Sequence, residues 1–114
     1  MSGQNTLLRL SKSGKVATIL SGQQDSSAVD ISSWALLGFQ MPAAFTGATV
    51  TFKVSSDGST FTTLKDQTGT TITMTVSTSF AYPFPDEVSA WPYVKITSAS
   101  AEGANRSIII AAKA

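Results

Sequence analysis

The chain has no cysteine and no histidine. Without cysteine there is no disulfide, no thiolate nucleophile and no thiolate metal site, and a reducing compartment is tolerated. Without histidine the commonest general base near neutral pH and the commonest metal ligand are both missing. Charge is sparse and balanced, with eight Lys and Arg against seven Asp and Glu for a net +1. Phosphate binding needs a basic stripe, so nucleic acid is not expected as a partner. No apolar run approaches the roughly 20 residues that span a bilayer, so no membrane partner is expected. Residues 1–15, MSGQNTLLRLSKSGK, lack the apolar stretch of a secretion signal. No long segment has helical period, and no internal repeat is visible.

What the chain has instead is alternation. Residues 48–55, ATVTFKVS, place Val50, Phe52 and Val54 on one side and Thr49, Thr51, Lys53 and Ser55 on the other. That period of two marks a half-buried strand. Before it, residues 36–41 put Leu37, Phe39 and Met41 on one face, and Pro42 ends the run because it has no amide hydrogen for a ladder. After it, Asp57-Gly58 supplies a tight turn, and residues 61–64 return antiparallel. A sheet with one wet and one dry face needs a second sheet to cover it.

The rest of the chain can supply that second layer. Residues 1–14 read as an N-terminal arm with an apolar island at Leu7, Leu8 and Leu10. A single domain follows over residues 15–114. It begins with a strand at 15–20, in which Val16, Ile19 and Leu20 are apolar, and a short strand at 28–31. Residues 71–76 alternate Ile72, Met74 and Val76 against three threonines. The segment FAYPFPDEVSAWP breaks the pattern, since its prolines forbid a central strand or a regular helix. It is expected to form an ordered loop, extended near residues 80–82. Residues 93–98 form a strand with Val94 and Ile96 inward. Residues 107–112 form another, and the run Ile108, Ile109 and Ile110 predicts a strand contacted on both sides. The expected fold is all-β: an antiparallel β-sandwich of about eight strands, jelly-roll-like, with a short arm.

Catalysis finds little purchase. Asp86-Glu87 is the one adjacent acid pair, and it reads as a solvated turn rather than a calcium or catalytic cluster. Asp25, Asp30, Asp57 and Asp66 fall in or beside turns, where aspartate bonds the local backbone. The serines have no histidine to activate them, and neither SxxK nor GxSxG occurs. No enzyme activity, cofactor or metal is expected. Met41 and Met74 fall on apolar strand faces as core filler. The aromatic-proline segment carries the functional flavour: Phe80, Tyr82, Phe84, Trp91 and Tyr93 are dense, and Pro83, Pro85 and Pro92 stiffen them. Such rings can plug one end of a sandwich, stack on a sugar or anchor a protein interface.

The run LLGFQMPAAFTGATVTFKVSSDGSTFTTLKDQTG, followed by WPYVKITSAS and RSIIIAAK, resembles small β-sandwich structural proteins of tailed bacteriophages, including capsid decoration or cement proteins. The likeness spans residues 28–112. It rests on the turn at Met41 to Ala44, the S-x-D-G-x-T-F hairpin at 55–61 and the tryptophan before residues 93–98. The hairpin motif also occurs in discoidin-like sugar-binding jelly rolls. The resemblance implies a virion component without catalysis, made in the host bacterial cytoplasm and placed on the capsid surface. It implies a major capsid protein lattice as partner and self-association into a homo-oligomer, a trimer at a symmetry axis. The expected interface residues are Leu7, Leu8 and Leu10 of the arm with Phe80, Tyr82, Phe84 and Trp91 of the loop. A carbohydrate-binding jelly roll using Trp91, and a phage neck or tail component, are the alternatives.

Overall fold

The computed structural model describes residues 14–32 and 36–113. The arm residues Leu7, Leu8 and Leu10 lie outside the described residues. The strands are β1 Gly14–Ile19, β2 Val29–Asp30, β3 Leu36–Gln40, β4 Thr49–Ser55, β5 Thr62–Thr63, β6 Met74–Thr75, β7 Ala81–Pro83, β8 Tyr93–Ser98 and β9 Arg106–Lys113. One 3-10 turn, Asp86–Ala90, precedes β8, and the described residues contain no α-helix.

The strands make two antiparallel sheets. One runs β1-β9-β3-β7; the other runs β2-β8-β4-β5, with β6 also on β4. Pairing nests from the outside in. β1 pairs with β9, β2 with β8, β3 with β7, and β4 with both β5 and β6. A long hairpin curled over itself gives this order, and the result is a jelly-roll sandwich. β5 and β6 meet opposite ends of β4, Lys53↔Thr63 and Thr49↔Thr75, so together they form one interrupted edge.

That interruption shortens the strand expected at 71–76. Residues 65–71 turn back on themselves through a Lys65↔Thr71 bridge. The Asp66 carboxylate accepts the N–H groups of Thr68 and Thr70 at 2.9 and 3.1 Å, and Gly69 takes a φ of 85°. This local turn holds the backbone until Met74 can join β4. The alternation survives nonetheless: Val76 is buried, and Ile72 and Met74 pack against the core.

Between the sheets, the inward positions of β4 and β8 meet those of β9 and β3. Val50, Phe52, Ile96, Ile108 and Ile110 are fully buried. Phe39 gathers the rings, with centroids 6.1 Å from Phe52, 5.0 Å from Phe84 and 5.7 Å from Tyr82. Offset and edge contacts of this kind add to the hydrophobic gain of burying large rings. One end is tied by Glu102, which the small-residue loop at 99–105 carries inward. Its carboxylate accepts the N–H of Thr46 at 2.8 Å and of Gly47 at 3.1 Å, the Ser98 hydroxyl at 2.8 Å and Arg106 Nε at 2.8 Å.

One strand differs from expectation, and a second shows which of its apolar residues are used. β9 is central in its sheet, with β1 and β3 as neighbours, but only one of its faces is covered. Ile108 and Ile110 are buried, whereas Ile109 is 49 % exposed. In β1 it is Ala17 and Ile19 that enter the core, while Val16 and the following Leu20 stay outside. The sandwich has two layers, and no third layer covers the outer side of the β9 sheet among the described residues.

Candidate functional site

The two outer faces of the sandwich differ in chemistry. Over β4 and β8, the outward positions are Thr49, Thr51, Lys53 and Ser55 of β4, the last three paired with Thr97, Lys95 and Tyr93 of β8. Lys53 Nζ meets Asp25 Oδ2 at 2.7 Å, Thr97 Oγ1 donates to Asp25 Oδ1 at 2.8 Å, and Lys95 Nζ stands 4.5 Å from the Phe61 ring centroid. Burial alone would raise the Asp25 carboxyl; the bonds from Lys53 and Thr97 outweigh it and hold the group below its ordinary value. This face is charged, internally satisfied and wet.

The outer face of β1-β9-β3-β7 is different. Strand parity places Val16 and Thr18 of β1, Ser107, Ile109 and Ala111 of β9, Gly38 and Gln40 of β3, and Ala81 and Pro83 of β7 on it. None of these nine side chains is charged; β9 runs on beyond them to Lys113, which pairs with Leu36 at the far end of the ladder. Val16 and Ile109 are directly paired across the β1–β9 ladder. They are 50 % and 49 % exposed, and Leu20, just past β1, is 56 % exposed. At Gly38, Ala81 and Ala111 the side chains are small or absent, so the surface sinks into a shallow depression beside Ile109, with Gln40 and Pro83 at its margin. Isolated exposed apolar residues need no explanation, and a directly paired, half-exposed β-branched couple makes this face the candidate contact surface.

The β7 margin of this sheet is guarded against strand addition. β7 spans only Ala81–Pro83, and a short edge ending in proline offers little ladder to a stranger. At the other margin, Thr18 is engaged by Ser27, whose N–H reaches the Thr18 carbonyl at 2.9 Å and whose Oγ accepts the Thr18 N–H at 3.1 Å. Strand addition is thus disfavoured at β7 and at Thr18 of β1, and the face lies open between them.

The aromatic-proline segment is divided by the fold. Phe84 is buried against Phe39 and Phe52, so its ring belongs to the core and is withheld from the surface. Tyr82 is half-buried on the inner side of β7, and its hydroxyl accepts the Ser77 N–H at 2.8 Å. Phe80 is 60 % exposed and stacks on Tyr82 with centroids 6.3 Å apart. Trp91, 39 % exposed, lines a groove with the β4–β5 hairpin on the other sheet. The two exposed rings thus sit on the margins of different sheets, and the loop does not present one patch.

The acids behave as turn residues. Asp57 Oδ1 accepts Ser59 and Thr60 N–H groups at 2.8 and 3.0 Å, and Asp30 Oδ1 accepts Ser32 N–H at 2.9 Å. Those bonds hold the Asp57 carboxyl down at about 2. Asp86 and Glu87 lie exposed in the first turn of the 3-10 segment. No three metal-ligating side chains cluster among the described residues.

The uncharged face is what sequence reasoning missed, although part of the signal was present. In KVATIL, a strict period of two that puts Ile19 inside also puts Ala17 inside and sends Val16 and Leu20 out. The isoleucine run gives no such guidance, because a central strand covered on one face and one covered on both can carry the same residues. Comparison of the chain with protein-family models, curated proteins and solved structures returned no match.

Proposed function

We propose that this chain is a virion structural protein that seats the outer face of its β1-β9-β3-β7 sheet on an assembled phage capsid and reinforces it. The observation that carries the proposal is the uncharged face around the Val16–Ile109 pair, set against an opposite face that satisfies its charges internally. The resemblance to phage decoration proteins names the partner, a lattice of major capsid protein. A protein that binds only the assembled lattice stabilises it by its binding free energy, and many symmetric copies make the total large without strong single contacts. Self-association at a lattice symmetry axis belongs to the same proposal.

An uncharged contact makes binding depend weakly on salt, since screening acts on charge. The test uses shells assembled from the major capsid protein encoded beside this chain's gene. Wild-type protein is expected to co-sediment with them, and Ile109→Lys to bind more weakly by at least about 2 kcal/mol, the scale of an interface anchor. Because Ile109 faces outward, its melting temperature is the control and should hardly move. A folded Ile109→Lys protein that decorates shells normally removes the face from the contact. Wild-type protein that never sediments with shells removes the capsid role.

A further inference from the structure

We infer that the groove between Trp91 and the β4–β5 hairpin is a binding site for a neutral oligosaccharide. It is independent of the capsid contact proposed above, which uses the other sheet. The groove holds about 360 Å³, within the range of small-ligand clefts, roughly 300 to 1,000 Å³. Its floor is apolar, from the buried side chains of Val54 and Leu64. One wall is the partly exposed indole of Trp91; the other is polar, built from Asp57, Thr60 and Thr62, with Lys65 also lining the groove.

That combination matches the two-sided chemistry of a pyranose. A sugar ring has an apolar face of C–H bonds, which lies on an aromatic plane, and a rim of hydroxyls, each able to donate and accept. Indole gives a large rigid surface at low entropic cost. The threonine hydroxyls donate and accept in turn, the carboxylate accepts, and the ammonium donates. One carboxylate and one ammonium balance, so the site favours an uncharged ligand over a phosphate or a uronate.

The walls are fixed before any ligand arrives. Oδ1 of Asp57 is committed to the turn, also accepting the Ser55 hydroxyl at 2.9 Å, while Oδ2 has no hydrogen-bond partner among the described residues. Gly58 holds a φ of 81°, and a Cβ there would press on the Tyr93 ring at 3.2 Å. The turn therefore lies close against the Tyr93 ring of β8, with no room for a side chain at this position. On the other wall the backbone N–H of Trp91 donates to the Val88 carbonyl at 3.1 Å, and Pro92 stiffens the step into β8. A preorganised groove loses little freedom on binding.

The test titrates the full chain with maltohexaose, cellohexaose and the fully N-acetylated chitohexaose, all uncharged, at millimolar concentration, following amide resonances and tryptophan fluorescence. At least one glycan is expected to shift the amides of residues 57–65. Trp91→Ala should weaken that binding at least about tenfold. Thr62→Arg, which fills the groove from an exposed edge position, should abolish it and covers the case of a Trp91 variant that fails to fold. Asp57→Asn keeps an Oδ1 acceptor for the turn and should weaken binding less. Shell co-sedimentation of Thr62→Arg should match wild type, which separates this site from the capsid face. No shift with any of the three glycans, or unchanged binding by folded Trp91→Ala or by Thr62→Arg, overturns the inference.

Discussion

Glu102 Oε1 accepts Arg106 Nε at 2.8 Å although the Glu102 side chain is wholly shielded from solvent. Burial alone would raise this carboxyl; the Thr46 N–H, the Arg106 guanidinium, the Ser98 hydroxyl and the Gly47 N–H together hold it down at about 2. The ordinary value is 4.5, so the folded form gains from ionisation. The stability this supplies is complete above about pH 4.5 and is lost as pH falls toward 2. Acid titration of the melting temperature should fall across that window, and the fall should be shallower in Glu102→Gln.

Glu102→Ala should cost more than the loss of one bond. It strands a partly buried guanidinium and the N–H groups of Thr46 and Gly47, and breaking a buried pair from one side typically costs about 3 to 5 kcal/mol. Urea unfolding measures it. Gly47→Ala should act on the same knot, because an added Cβ would collide with Ser98 Oγ, itself a Glu102 partner.

Phe52→Ala should destabilise by about 3 to 5 kcal/mol. The ring is fully buried, 6.1 Å from Phe39 and 5.6 Å from Phe84 between centroids. Small-to-medium domains have only about 5 to 15 kcal/mol in hand. An unchanged denaturation midpoint would contradict the packing described.

Adjacent isoleucines of β9 should behave oppositely. Ile110→Thr buries a hydroxyl among apolar side chains and should cost about 2 kcal/mol or more. Ile109→Thr, on the open face, should stay within about 0.5 kcal/mol. Equal effects at both positions would mean that another layer covers this sheet.

Much of the fold was legible because local pattern and final environment agree. The strand at 93–98 has the bounds expected for it, and β4 differs by one residue, since both alternate without interruption. The dipeptide Asp57-Gly58 marked the reversal, and Gly58 takes a φ of 81°, but the turn is wider than the tight hairpin expected: Val54 pairs with Thr62, residues 55–61 lie between them, and the return strand is only Thr62–Thr63. Glu102 was not: it sits among Ala, Gly and Ser, and its partners Thr46 and Gly47 are 56 and 55 residues away. Nothing local announces that an acid will be buried by a distant loop. The fate of the aromatic segment was equally hidden. Phe84 and Trp91 look alike in sequence, and only the crossing from one sheet to the other decides which ring is enclosed.

The nested pairing also sets the order of events when the chain is made. β9 is synthesised after β1 and β3, yet it lies between them. Until it emerges, β1 has no neighbour from its own sheet and β3 has only β7. The sheet that carries the uncharged face therefore cannot be completed during most of synthesis, and its closing step joins residues far apart in the chain. Such non-local closure is slow and leaves unpaired strands open to aggregation in the meantime. A fold of this kind depends on its production conditions as well as on its final contacts: slower translation or higher temperature should lower soluble yield before it lowers the stability of molecules already folded.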